Sequence, residues 1–232
     1  MASKISQHNS EGELRFKAYY ALSMLRIARR AAKNASKVRD DVIVSIMFSV
    51  ACIEGFVNEV THDVEDGAAT APGLERLDIL RDCIAHLKFE YASILDRIQM
   101  IRKLSTGSEF QKGLPPYQDA VLLVKIRNAL VHIRPDVVRT YGLDGQNARG
   151  MDRIENLLQQ LEARKLISPV SSRHSRSWLQ LIGTKKVAEW AVATATNLVV
   201  ELATGLDADN YFGSARATLN ILSHKNGFRS NG

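Results

Sequence analysis

Apolar residues recur along this chain at intervals of three and four, which places them on one face of an α-helix. The recurrence is most regular between residues 74 and 104. Its members are Leu77, Leu80, Ile84, Leu87, Tyr91, Ile94, Ile98 and Ile101. The spacing predicts a single helix over about 74–104, on the order of 45 Å long. A helix of this length is typical of antiparallel bundles, so we predict an all-α bundle built around it.

The same spacing predicts five further helices. They cover about 11–35, 40–62, 117–133, 151–161 and 184–205. Asp40 and Thr184 are suitable N-cap residues. Pro135 ends the helix before it, because the residue that precedes a proline avoids the helical region. No strand is predicted. Residues 134–183 hold only one of these helices, and we interpret them either as an insertion or as an extra packing layer.

Length and composition favour one soluble domain. The chain has 232 residues, of which 45% are hydrophobic, and it is predicted to form a single domain over 1–232 with disordered ends at 1–10 and 224–232. No signal peptide is recognisable at its start. The longest apolar run, Val42–Ile53, is too short to span a bilayer. We therefore expect a cytoplasmic protein with no membrane partner.

The two cysteines, Cys52 and Cys83, fall inside helical patterns, where a thiol acts as a small apolar side chain. Nothing in their positions requires an oxidising compartment. No spacing of cysteine and histidine resembles a zinc site, and no metal or cofactor is expected.

The net charge is +6 and the basic residues concentrate in two clusters. The first cluster is Arg26, Arg29, Arg30, Lys33, Lys37 and Arg39. The second cluster is Arg164, Lys165, Arg173, Arg176, Lys185 and Lys186. Each is interpreted either as a solvated surface or as a surface that neutralises the phosphates of a nucleic acid.

Polar residues interrupt the apolar faces of two predicted helices. Glu54 and Asn58 lie on one stripe of the 40–62 helix, and the carboxylate of Glu54 is expected to be largely buried and to need a donor. In the 117–133 helix, Asn128 interrupts the apolar stripe, with Arg127 and His132 on its flanks. These residues form either a functional site or a buried network in which Glu54 pairs with Arg127 and fixes helix register.

The segment KIRNALVHIRP, residues 125–135, resembles the signature of the HEPN superfamily of helical ribonucleases and binding proteins. That signature is an arginine, usually followed by a polar residue, and a histidine after four to six positions; here it is Arg127, Asn128 and His132. Residues 45–60 look like the HEPN helix that carries a Glu and an Asn facing the motif. The resemblance covers roughly residues 15–140.

A second match to the spacing, formed by Arg81, Asp82 and His86, lies beside an uninterrupted apolar seam. In the 117–133 helix, Asn128 occupies the seam itself, and a proline follows the motif. We therefore favour the motif of Arg127 and His132.

The resemblance implies a metal-independent endoribonuclease, often a toxin or phage-defence factor, in which the ribose 2′-hydroxyl attacks the adjacent phosphate. His132 would be the general acid/base, Arg127 would hold the phosphate, and Asn128 would orient either group. Glu54 and Asn58 would support the motif. RNA, a second copy of the chain in a homodimer, and an antitoxin or other protein are the implied partners.

The alternative is a non-catalytic HEPN-like module that binds a protein, a nucleotide or a nucleic acid. A glutamate that faces the motif would neutralise Arg127, and that arrangement suits such a module.

Overall fold

Seven α-helices make up most of the computed structural model, which describes residues 6–8, 14–16, 20–36, 38–65, 82, 89–132, 151–168 and 177–206. They are α1 (Ala21–Asn34), α2 (Asp40–Glu65), α3 (Ile94–Thr106), α4 (Tyr117–Val131), α5 (Met151–Ala163), α6 (Trp178–Ile182) and α7 (Lys185–Gly205). A 3₁₀ turn, Phe89–Tyr91, precedes α3. The all-α class predicted from the sequence is confirmed at this level.

The described residues fall into two compact units. The first contains those up to residue 24, those in 51–111 and those from 196 onward, and the second contains 25–50 and 112–195. Each has buried aliphatic residues of its own. In the first these include Val57, Val60, Ile98, Ile101, Leu198 and Leu202, and in the second Leu25, Val42, Ile46, Leu123, Ile126 and Leu161. That the whole chain forms one domain stays a prediction.

The single helix predicted over about 74–104 is interrupted at residues 89–93. A 3₁₀ turn at 89–91 and an extended residue, Ser93, separate α3 from what precedes it. The Ser93 hydroxyl accepts a hydrogen bond from the N–H of Asp96 at 3.2 Å, so Ser93 caps a new helix. Tyr91, which was assigned to the buried seam, is 78% exposed. The part of the prediction between 74 and 88 lies outside the described residues, except for Asp82, which is helical and exposed.

The first predicted helix begins about ten residues too early. Helix α1 starts at Ala21, whereas the residues Leu14–Phe16 form a strand, β2, that pairs antiparallel with β1, Ser6–His8. Residues 6–8 are therefore not disordered as predicted. The backbone hydrogen bonds of this short hairpin replace those of a helix, and three residues per strand are too few to give a visible alternation.

The remaining helix boundaries agree with the sequence to within a few residues. Helix α2 begins at Asp40 as predicted and ends at Glu65. The hydroxyl of Thr184 accepts a hydrogen bond from the N–H of Val187 at 3.2 Å, so Thr184 is the N-cap of α7. No helix was predicted between 161 and 184, but Ser177 is there the N-cap of the short helix α6, with a capping box.

In the second unit, α5 packs on α4 and contacts α6. The Nε of Arg164, just after α5, lies 2.8 Å from the Asp119 carboxylate on α4. The hydroxyl of Ser45 on α2 donates a hydrogen bond of 3.0 Å to the carbonyl oxygen of Ala188 on α7. Helix α5, within residues 134–183, therefore packs against the helix that carries Arg127 and His132. The interpretation of the whole segment as an insertion or an extra packing layer stays a prediction.

Among the helices that the structure describes, none combines the length and the apolar character needed to cross a membrane.

Candidate functional site

The predicted motif lies at the carboxyl end of α4. Val131 is the last helical residue, and His132 leaves the helix with φ −110° and ψ 49°. The backbone N–H of His132 still donates to the carbonyl oxygen of Asn128 at 3.1 Å, so the turn around the motif is closed. Pro135, which was expected to end this helix, lies outside the described residues. The imidazole is thus carried on the first residue after a regular helix.

Two members of the motif share the solvent side of α4 with a residue that the sequence reasoning missed. Lys125, Asn128 and His132 follow each other at i, i+3 and i+7, which places them within about 60° of one another around the helix axis. Lys125 and His132 are exposed, and Asn128 is half-buried. We call these three residues the outer face of α4. An ammonium, an amide and an imidazole therefore point from one side of a helix end.

The apolar stripe that Asn128 interrupts is buried only in part. Tyr117 and Val124 of that stripe are buried, whereas Val131, three residues after Asn128, is 51% exposed. The buried residues of α4 lie on two sides of the helix. They are Tyr117, Ala120, Leu122, Leu123, Val124, Ile126, Ala129 and Leu130. Because the helix is covered on two sides, its apolar residues outnumber one stripe, and the sequence pattern does not tell which of them are buried.

Arg127 lies on a different side of α4 from His132. Five residues separate them, which corresponds to about 140° around the helix axis. The side chain of Arg127 is half-buried and its Nε is buried. Within one copy of α4, the side chain of Arg127 therefore leaves the helix toward the protein interior, whereas the side chain of His132 leaves it toward solvent.

The two residues expected to support the motif belong to the first unit, whereas the motif belongs to the second. Glu54 is half-buried, and the largely buried environment expected for its carboxylate stays a prediction. Asn58 is exposed, and its Oδ1 accepts a hydrogen bond from Nη2 of Arg97 on α3 at 2.8 Å. The guanidinium carbon of Arg97 also lies 5.0 Å from the centre of the Phe89 ring. Asn58 thus ties α2 to α3, and its predicted role beside the motif stays a prediction, as does that of Glu54.

The second match to the spacing lies mostly outside the described residues. Of Arg81, Asp82 and His86, only Asp82 is described, and it is exposed. Cys52 is a buried free thiol, in agreement with its prediction as an apolar side chain, and Cys83 lies outside the described residues.

No group of three or more histidine, cysteine, aspartate or glutamate side chains within the described ranges is arranged to hold a metal ion. No protein-family model, curated protein or solved structure matches this chain. The candidate functional site consists of the outer face of α4 and Arg127.

Proposed function

We propose that this chain is a metal-independent endoribonuclease of the HEPN type, acting in the cytoplasm as a toxin or phage-defence factor. The observation that carries the proposal is the exposure of His132 at the end of α4, on the same side as Lys125 and Asn128. A general acid/base must reach its substrate, and an exposed imidazole is placed to exchange a proton with it.

The proposed reaction has one bond-making and one bond-breaking event at phosphorus. The imidazole of His132 takes the proton from a ribose 2′-hydroxyl, and the 2′-oxygen attacks the adjacent phosphorus. The bond from phosphorus to the 5′-oxygen breaks, and that oxygen takes a proton from solvent water, while the imidazolium of His132 releases its proton to solvent. The products are a 2′,3′-cyclic phosphate and a 5′-hydroxyl. Lys125 and Arg127 stabilise the negative charge on the nonbridging oxygens, and the Asn128 amide orients the phosphate.

The separation of Arg127 and His132 around α4 is the reason that the proposed reaction uses two copies of the chain. With about 140° between them, one helix end presents them in different directions. Two motifs brought together allow the guanidinium of one copy to hold a phosphate that the imidazole of the other copy activates. RNA and a second copy are therefore the proposed partners, and an antitoxin or other protein would block the same face.

The test compares His132→Ala with His62→Ala, because His62 is also an exposed histidine near a helix end, on α2. Wild type and both variants are incubated with RNA in EDTA. We expect wild type and His62→Ala to cleave, and His132→Ala to lose about 100-fold or more in rate, since general acid/base catalysis contributes about 10²–10⁴-fold. Circular dichroism checks that each variant is folded.

A His132→Ala variant that cleaves as fast as wild type contradicts the proposal, and so does a wild-type protein without activity. Arg127→Lys provides a second readout, because it keeps the charge but removes the planar fork. We expect it to cleave more slowly than wild type.

The half-burial of Arg127 favours one alternative, the non-catalytic HEPN-like module. In that case Arg127 stabilises the fold and His132 has no reaction to serve. The same assay separates the two proposals, since a module shows no cleavage in any variant and Arg127→Ala lowers its free energy of unfolding.

A further inference from the structure

The two basic clusters of the sequence differ in how far their charges are neutralised by the fold. In the second cluster, Arg164 pairs with Asp119 at 2.8 Å and Lys185 pairs with Glu189 at 3.5 Å. Arg173 and Arg176 of that cluster lie outside the described residues. At least two of its cations are therefore partly neutralised within the second unit.

The first cluster places three cations on the exposed side of α1. Arg26, Arg30 and Lys33 are all exposed, and their spacing of i, i+4 and i+7 places them within about 60° around the axis. Within the described part of the chain, none of the three takes part in an ion pair or side-chain hydrogen bond. We call these residues the basic face of α1.

This face lacks the charge pattern of an ordinary solvated helix. Such a helix places acidic and basic residues three or four positions apart, whereas Ala21–Asn34 contains no aspartate or glutamate. Arg26 and Arg30 are instead a like-charge pair at i, i+4, and Arg30 and Lys33 are one at i, i+3, so each repels the other. A bound polyanion would remove this repulsion.

A nucleic acid suits the basic face better than a protein does. The centre of a protein interface is depleted of charge and rich in aromatic residues. Here the one large apolar residue on the exposed side is Ile27, which is 38% exposed. Two of the three cations are arginines, whose planar forks match the oxygens of a phosphate.

We infer that the basic face of α1 binds the phosphate backbone of RNA, without reading its sequence. It belongs to the same unit as Lys125, Asn128 and His132. The inference rests on the proposed function only in taking RNA as the polyanion, and it names the residues that hold the strand during cleavage.

The test measures binding of a short, fluorescently labelled, single-stranded RNA of mixed sequence. The protein carries His132→Ala so that cleavage does not interfere. To this background are added either Arg26→Gln, Arg30→Gln and Lys33→Gln together, or a control set that removes the same charge from three exposed lysines, Lys112, Lys185 and Lys186. Glutamine is a good helix former, so α1 should persist, and circular dichroism checks it.

We expect the face variant to bind the RNA at least about 10-fold more weakly at 0.1 M salt. Each phosphate contact to a single strand contributes about 0.7 to the slope of log affinity against log salt. The slope of log affinity against log salt, measured between about 50 and 200 mM, should become shallower by about 2. The control set should leave the slope unchanged.

Equal losses in the face variant and the control set would show that only net charge matters and would overturn the inference. An unchanged slope in the face variant, or no RNA binding by the His132→Ala protein, would overturn it as well. Tighter binding of an acidic peptide than of RNA would assign the face to a protein partner and also overturn it. If RNA binding follows the expected pattern but the wild-type protein does not cleave RNA, the nuclease proposal is contradicted and this inference is supported.

Discussion

Gly205 ends α7 in a place with no room for a side chain. A Cβ at this position would lie 2.6 Å from Cγ2 of Thr106 and 2.9 Å from Oγ of Ser105. We predict that Gly205→Ala lowers the free energy of unfolding by about 1–2 kcal/mol, because overpacking outweighs the better helix propensity of alanine. Urea unfolding followed by circular dichroism measures this change.

Two further variants sharpen the Gly205 prediction. Gly113→Ala is the matched control, since a Cβ there would meet nothing within 4 Å, and we expect a change within about 0.5 kcal/mol. Thr106→Ser removes the Cγ2 methyl but keeps the hydroxyl that donates to the carbonyl oxygen of Arg102 at 2.8 Å. In the double variant it should recover part of the loss. A Gly205→Ala protein as stable as Gly113→Ala would contradict the account of this contact.

At the scale of single residues, the sequence predicted which side chains of α4 share a face better than it predicted their burial. Asn128 and His132 are related by their spacing of four residues, but the apolar stripe that Asn128 interrupts is only partly buried. Lys125 was overlooked, although its spacing of three and seven residues from Asn128 and His132 was visible. Spacing fixes which residues share a face, whereas burial depends on which neighbouring helices cover that face.

Helix α1 begins where a residue from another helix caps it. Oε1 of Glu59 on α2 accepts hydrogen bonds from the N–H groups of Tyr20 at 2.5 Å and Ala21 at 2.8 Å. These N–H groups have no partner within the helix. We predict that Glu59→Ala lowers the free energy of unfolding by about 1–2 kcal/mol, the usual effect of losing an N-cap. Chemical denaturation measures it.

Glu59→Gln should have a smaller effect than Glu59→Ala, because the amide oxygen still accepts while the favourable interaction of the charge with the helix dipole is lost. Glu109→Ala is the control. Glu109 forms an exposed ion pair with Lys103 at 3.2 Å, and pairs of this kind contribute at most about 1 kcal/mol. If Glu59→Ala is no more destabilising than Glu109→Ala, the cap is unimportant.

For whole elements, signals inside each segment predicted most helices. The errors arose where a contact from a distant residue, or the burial of a face, set the boundary of the helix. The start of α1 depends on Glu59, a residue far along the sequence, and could not be read from the segment itself. The start of α3 at Ser93 was signalled locally by Asp96 three positions later. That signal was overridden by an apolar periodicity that continues through Tyr91 without reflecting burial.

At the scale of the whole molecule, the sequence predicted the all-α class but not the division into two units. The division falls within α1, α2 and α7 and in the connection between α3 and α4. Only this last point is marked by glycine and proline, at Gly113, Pro115 and Pro116. Glu54 and Asn58 consequently belong to a different unit from Arg127 and His132. Sequence spacing relates residues within one helix, but it carries no information on which unit each half of a long helix joins.

The proposed reaction determines which chemical groups are left at the two ends of the cut RNA. A reaction through the 2′-hydroxyl leaves a cyclic phosphate on one fragment and a hydroxyl on the other, and it requires no free divalent ion. A water molecule activated by a metal ion can instead attack phosphorus and break its bond to the 3′-oxygen. That reaction leaves a 3′-hydroxyl and a 5′-phosphate.

The most direct measurement is therefore the identity of the RNA ends that the purified wild-type protein produces in EDTA, determined by mass spectrometry of a defined oligonucleotide. We expect 2′,3′-cyclic phosphate and 5′-hydroxyl ends, and we expect both to disappear in the His132→Ala variant. Fragments with 5′-phosphate and 3′-hydroxyl ends, or an oligonucleotide that stays intact, would contradict the proposed reaction.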